Sequence, residues 1–157
     1  MRSQKIACVL GMHRSGTSAL TRIVSALGAY LGPESMLVPP ANDNPTGFWE
    51  LKSIIDINQS ILVRLGGRAM DPPALQEGWE LSESVSDLRG RAETLIESEF
   101  SAAHFWAWKD PRACLTLPFW QQIVHNMHYV VCVRRPAEVA ASLKRRNKIP
   151  EARSIYL

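Results

Sequence analysis

Ile6-Ala-Cys-Val-Leu-Gly11-Met-His-Arg-Ser-Gly16-Thr-Ser18 is the stretch on which the reading of this chain turns. Ile6 to Leu10 is a short apolar run, the pattern of a buried strand. It leads directly into Gly11-x-x-x-x-Gly16-Thr17-Ser18. Beyond that, Ala19, Leu20, Ile23, Val24 and Leu27 recur at helical spacing, and Gly28 is a helix stop. The spacing is that of a phosphate-binding P-loop, GxxxxGK[ST]. Glycines let the backbone turn tightly. Successive N–H groups then line a concavity at the positive end of a helix. The lysine of the pattern is missing and Thr17 stands in its place; the nearest cation is Arg14, inside the loop. In nucleotide triphosphatases that lysine reaches the β- and γ-phosphates. This loop therefore suits one phosphate plus a neighbouring anionic group better than a triphosphate with magnesium. The plain alternative is an ordinary Gly-containing strand-to-helix turn. The clustering of Arg14, Ser15, Thr17 and Ser18 at the helix start weighs against it.

Outward from the loop, the pattern alternates between strands and helices. Residues 32–50 are rich in Pro and Gly and read as a long loop. Leu51 to Leu65 is a helical pattern, with Ile54, Ile55, Ile61, Leu62 and Leu65 on one side and Gly66-Gly67 ending it. Residues 68–81 are a second loop, and Ser84 to Phe100 a third helix. Phe105 to Lys109 is a strand stopped by Asp110-Pro111. Thr116 is expected to cap a helix that has Pro118 early and Phe119, Trp120, Ile123, Val124 and Met127 as its stripe. His128 to Val133 is β-branched and reads as a strand. Pro136 opens a last helix running to about Asn147. Strands alternating with helices predict an α/β fold, a parallel sheet flanked by helices in three layers, with ligands beyond the carboxyl ends of the strands. Three strand ends are polar there: His13-Arg14-Ser15, Lys109-Asp110 and Arg134-Arg135.

The composition bounds the function class. The chain has 157 residues, 46% hydrophobic and 21% charged, which fits one domain and excludes a disordered chain. The net charge of +3 is too small to argue for nucleic acid. No apolar run approaches the ~18–20 residues of a membrane span. The basic start is followed by too short an apolar run for a signal peptide. Cys8, Cys114 and Cys132 are widely spaced and form no CxxC, so neither a disulfide framework nor a metal site is expected, and a cytoplasmic setting is the default. Charge is concentrated late. Arg134, Arg135, Lys144, Arg145, Arg146, Lys148 and Arg153 stand against Glu138 and Glu151, and the remainder is net acidic. The plain reading is a solvated helix face; the sharper one is an anion site. Arg134 ends its strand, and Ser142 lies eight residues on. Glu138, Arg145 and Arg146 share the Ser142 face by helical spacing. An arginine at a strand tip and a hydroxyl on the next helix can clamp one phosphate with charge-assisted bonds.

Taken together, these residues carry a family resemblance. Gly-Met-His-Arg-Ser-Gly-Thr-Ser (11–18) resembles the 5′-phosphosulfate loop of sulfotransferases that use 3′-phosphoadenosine-5′-phosphosulfate (PAPS). Val-Val-Cys-Val-Arg-Arg-Pro-Ala-Glu-Val-Ala-Ala-Ser-Leu (130–143) is similar to their 3′-phosphate motif, with Arg134 and Ser142 at the matching positions. Asp43-Asn-Pro-Thr-Gly-Phe-Trp-Glu50 and Trp108-Lys-Asp-Pro-Arg112 resemble segments of a bacterial branch of that family. The resemblance implies a single P-loop-type domain over 1–157 that moves a sulfuryl group from PAPS to a hydroxyl or amine acceptor without a metal. It implies that His13, Arg14, Ser15, Gly16, Thr17 and Ser18 hold the 5′-phosphosulfate, and that Arg134 and Ser142 hold the 3′-phosphate. Relatives normally continue past the 3′-phosphate helix. The chain is therefore expected to lack C-terminal elements, to keep cofactor-binding geometry and to fall short of full turnover.

In that reaction the acceptor oxygen attacks sulfur in line, and negative charge grows on the bridging oxygen. Fixed dipoles and a cation there stabilise the transition state. Arg14 suits the role because it is always charged. The base is less determined. Glu50 follows Phe48-Trp49, where an apolar setting would raise its pKa; its plain role is a helix N-terminal acid. Asp110 ends a strand at the binding edge; its plain role is a structural partner of Arg112 or Lys109. His13 ranks third as a base. His104, His125 and His128 read as surface or packing residues. Two other classes compete: a P-loop small-molecule kinase with Asp110 as its magnesium aspartate, and a non-enzymatic nucleotide- or anion-binding module.

Overall fold

The computed structural model describes residues 4–147. Lys148, Glu151 and Arg153 lie outside them. β1 (Lys5–Leu10) is the middle of a three-stranded sheet, flanked by β2 (Phe105–Lys109) and β3 (Met127–Val131), both parallel to it. Helices α1 (Thr17–Ala26), α2 (Lys52–Arg64), α3 (Ser86–Phe100), α4 (Ala113–Gln121) and α5 (Pro136–Asn147) complete the α/β architecture. Because all three strands run the same way, their three polar tips share one edge of the sheet.

The alternation of side chains along the strands sorts the core. Ile6 and Cys8 of β1 are in register with Trp106 and Trp108 of β2, and all four belong to one cluster with residues of α2, α3 and α4. Trp106 stacks on Phe100 at 4.4 Å between ring centroids, and Trp108 tilts against Trp120 at 4.8 Å. Burying each such side chain stabilises the fold by about 1.5–3 kcal/mol, with about 0.5–1.5 kcal/mol more for a well-placed aromatic pair. The other face is built of small residues. Ala7, Val9 and Ala107 meet Val24 of α1 in a second cluster. The next residue on that face of β2 is Lys109, which brings its ammonium to Ser18 in the first turn of α1.

The third strand and the fourth helix differ from the sequence expectation. β3 ends at Val131, two residues short of the expected Val133, so Arg134 lies in the segment past the strand and not at its tip. The fourth helix runs from Ala113 to Gln121, so Thr116 and Pro118 are inside it, whereas Ile123 and Val124 follow it and Met127 opens β3. Asp110-Pro111 both stops β2 and starts this helix: Asp110 Oδ1 accepts from the Arg112 N–H at 3.1 Å, and its carbonyl from the Ala113 N–H at 2.9 Å. Thr116 instead donates its hydroxyl to Asn58 Oδ1 at 2.7 Å. β3 is exposed over much of its length, with Val131 at 61% and Val133, just beyond it, at 87%.

Candidate functional site

The glycine turn at 11–16 is a tight piece of backbone. Gly11 has φ +150°, and a Cβ there would stand 2.8 Å from the Cys132 carbonyl oxygen, so only glycine fits between β1 and the end of β3. Arg14 and Gly16 are left-handed at φ 70° and 94°. Gly16 is the N-cap residue of α1. It brings no side chain to the first-turn amides, and no acid lies in that turn. The positive end of α1 is thus open to an anion. Thr17 is buried and packs beside Gly11, so what it can offer a ligand is its backbone N–H. The Gly11 N–H is already used, donating to Cys114 Sγ at 3.2 Å.

Residues 120–128 positions apart meet at this loop. Arg14 Nε donates to Ser142 Oγ at 2.9 Å. Arg134 Nη1 donates to the Arg14 carbonyl at 3.1 Å. Ser142 is buried on α5. Arg134 also pairs with Glu138 one turn on, at 2.9 Å. The two segments singled out from the sequence therefore form one cluster, in which the Ser142 hydroxyl is bonded to Arg14 and the Arg134 guanidinium is balanced by Glu138.

Residues 41–50 cross this loop as a strap. The Ser18 hydroxyl donates to the Phe48 carbonyl and accepts from Asn44 Nδ2, both at 3.3 Å. Glu50 forms an ion pair with Lys109, whose ammonium is 1% exposed and also lies 3.4 Å from Ser18 Oγ. Burial pushes the Glu50 carboxyl upward against the pull of the Lys109 charge. Burial likewise lowers the Lys109 ammonium. Desolvation therefore moves both partners toward neutrality. Thr46, Gly47 and Trp49 of the strap also line a mostly apolar cavity of about 690 Å³ with Tyr30, Leu31 and Leu37.

Asp110, only one residue from Lys109, is in a different setting. It is fully buried. It accepts from Asn58 Nδ2 at 2.8 Å, Arg112 Nη1 at 2.8 Å and the Arg112 N–H at 3.1 Å. Asn58 in turn accepts from Thr116 and from the Trp120 indole N–H, each at 2.7 Å. Such a carboxylate organises the strand tip, α2 and α4. His13 is pushed down to about 4, chiefly by burial and then by the Arg112 charge, so its imidazole is neutral near pH 7. His104, His125 and His128 are exposed.

Sequence reasoning named Lys109 only as part of the polar Lys109-Asp110 strand end and as a partner for Asp110, with no place in the site of its own. The signal that finds it is the two-residue period of β2, which places 107 and 109 on the α1 side and 106 and 108 in the aromatic core. Among the described residues no group of three or more His, Cys, Asp and Glu is placed to hold a metal ion, and no helix is long and apolar enough to cross a membrane. No family model, characterised protein or solved structure matches the chain.

Proposed function

We propose that this protein is a PAPS-dependent sulfotransferase, on a P-loop-type variant of the α/β fold, acting on a hydroxyl or amine acceptor. The observation that carries the reading is the convergence of Arg14, Arg134 and Ser142 on one rim, from segments more than a hundred residues apart. The residues present suit an adenosine bisphosphate. An uncapped helix N-terminus and Arg14 offer one anion site, and Arg134 with the buried Ser142 hydroxyl offers the other. The donor supplies the activated sulfuryl group. Arg14 and the first-turn amides of α1 stabilise the charge that develops on the bridging oxygen. Glu50 accepts the acceptor's proton, and its raised pKa makes it the stronger base. Lys109 keeps it from drifting to full neutrality. Asp110 holds the strand tip and Arg112 in place.

One observation favours a second reading. Lys109 brings an ammonium to Ser18, the serine position of the P-loop pattern, and so supplies in space the cation that Thr17 denies the loop. That is what a P-loop phosphotransferase would need. Against it, Lys109 is enclosed and neutralised by Glu50, and the Asp110 carboxylate is already occupied by Asn58 and Arg112.

Thermal shift separates the readings. A ligand at ~100 times its dissociation constant stabilises its protein by about 2.7 kcal/mol. The expected order is 3′,5′-ADP well above 5′-AMP, with no specific effect of Mg-ATP. Preference for Mg-ATP would establish the phosphotransferase, and indifference to all three would leave a module that binds none of these nucleotides. With PAPS and an acceptor, Glu50→Gln is expected to lower kcat by about 10²–10⁴-fold, the usual contribution of a general base, with PAPS affinity retained.

A further inference from the structure

Asp43 is the least expected group on this rim. It lies in the strap, in the run Asn42-Asp43-Asn44-Pro45, far in sequence from either arginine that it meets. Its Oδ2 stands 2.6 Å from Arg146 Nε on α5 and 4.0 Å from Arg14 Nη1 in the P-loop. Arg14 Nη1 also lies 3.4 Å from the Asp43 carbonyl. The Arg146 guanidinium sits over the Phe48 ring at 5.9 Å. All three charged side chains are about a third exposed, at 30%, 32% and 31% for Arg14, Asp43 and Arg146. Two guanidinium groups from opposite ends of the chain thus converge on one carboxylate, beside a helix N-terminus that has no side-chain cap.

Two fixed cations facing one small anion are over-provided for that anion. A carboxylate and a tetrahedral oxyanion accept the same charge-assisted bonds from a guanidinium fork, but the tetrahedral group has more oxygens to offer. The strap is otherwise tied to the loop through Ser18 by two hydrogen bonds of 3.3 Å. Exchanging a partly exposed carboxylate for a ligand anion therefore costs little, because ion pairs in contact with water are weak.

We propose that Arg146 is a ligand-binding residue and that Asp43 is an internal stand-in for the ligand. Its carboxylate takes the place, between Arg14 and Arg146, that a tetrahedral oxyanion occupies when bound. The identity of that oxyanion rests on the sulfotransferase reading: it is either the sulfuryl group, present only in PAPS, or the 5′-phosphate, present in both PAPS and 3′,5′-ADP. The site itself needs only an anion. When the ligand enters, the strap gives up Asp43 and keeps its other ties at Ser18 and Lys109.

The test is isothermal titration calorimetry of the full chain with pyrophosphate, 3′,5′-ADP and PAPS, for the wild type, Arg146→Ala, Asp43→Asn and the double variant. Arg146→Ala is expected to weaken binding about tenfold or more, the loss of a hydrogen bond to a charged group. Asp43→Asn, which keeps the size and removes the competing charge, is expected to tighten binding about two- to fivefold. That gain should vanish in the double variant. Loss confined to PAPS identifies the sulfuryl group; equal loss for PAPS and 3′,5′-ADP identifies the 5′-phosphate. The proposal is overturned if Asp43→Asn weakens binding or leaves it unchanged, or if Arg146→Ala binds all three ligands like the wild type. A wild type that binds pyrophosphate but neither nucleotide refutes the sulfotransferase reading alone, and the Asp43→Asn comparison on pyrophosphate still decides this proposal. A wild type that binds none of the three refutes both.

Discussion

The two faces of the central sheet handle polar groups in opposite ways. On the face of α2, α3 and α4, polar atoms are enclosed among aromatic rings. Asn58, Asp110, Thr116 and Trp120 satisfy one another through short bonds between fixed elements. At the rim around the glycine turn, charged groups are partly open to water and are matched across the strap, the turn and α5: Arg14 and Arg146 with Asp43, Arg134 with Glu138. The first arrangement makes polar groups part of the framework, because an unpaired buried group is costly. The second leaves charges whose partners can be exchanged at small cost. A ligand site needs the second kind, held in position by the first. Lys109 and Asp110, adjacent in sequence, mark the seam, since the strand period sends one side chain to each face.

The comparison can be broken most severely at Asp110. Asp110→Ala leaves Asn58 and Arg112 without their acceptor and is expected to cost about 3–5 kcal/mol, the penalty for breaking a buried charge pair. Urea denaturation checks it. A loss below 1 kcal/mol would mean that the carboxylate is not part of the framework. A step down in size is Lys109→Met. It strands Glu50 in a desolvated position and should lower the melting temperature, whereas Lys109→Met with Glu50→Gln should recover most of the loss, as replacing both partners of a buried pair usually does. No recovery would move this pair from the rim to the framework. Arg134→Ala should barely change stability, since its pairing with Glu138 is exposed and worth no more than about 1 kcal/mol. It should, however, erase the preference for 3′,5′-ADP over 5′-AMP; a surviving preference would remove Arg134 from the site. The smallest effect is at His13. Its folded pKa of about 4 lies below the ordinary 6.5, so the unfolded chain binds the extra proton between those values. Its contribution to stability is present above pH 6.5 and is lost as pH falls toward 4. The difference in stability between wild type and His13→Asn should therefore shrink over that window, and a difference independent of pH would contradict the burial of this imidazole.

The periodicities of the chain located β1, α1, α2, α3, β2 and α5 to within about two residues, because each carries its own stripe or apolar run and its own stop signal. α4 was displaced for a local reason. Thr116 and Pro118 imitate a helix start, while the helix starts at Ala113, directly after a turn that the Asp110 carboxylate closes on the Arg112 N–H with Asn58 and Arg112 holding it in place. In the candidate site, Arg14, Ser142 and Arg134 were legible because glycine spacing and a pair of arginines following a β-branched run mark them. Asp43, Arg146 and Lys109 stood out only as members of a loop segment, a basic helix and a polar strand end; their pairings were not legible, since a single acid in a loop and a basic residue on a helix look alike whether they face solvent or one another.

What the sequence determined by itself is therefore the order of the strands and helices and the presence of a glycine-bracketed strand-to-helix turn, both of which depend on interactions within a few residues. Only the tertiary structure decided which charges oppose which. Pairing a loop acid with an arginine about a hundred residues away depends on how β3 and α5 pack against β1. That packing is set by long-range burial, which leaves no local mark on the residues that it brings together.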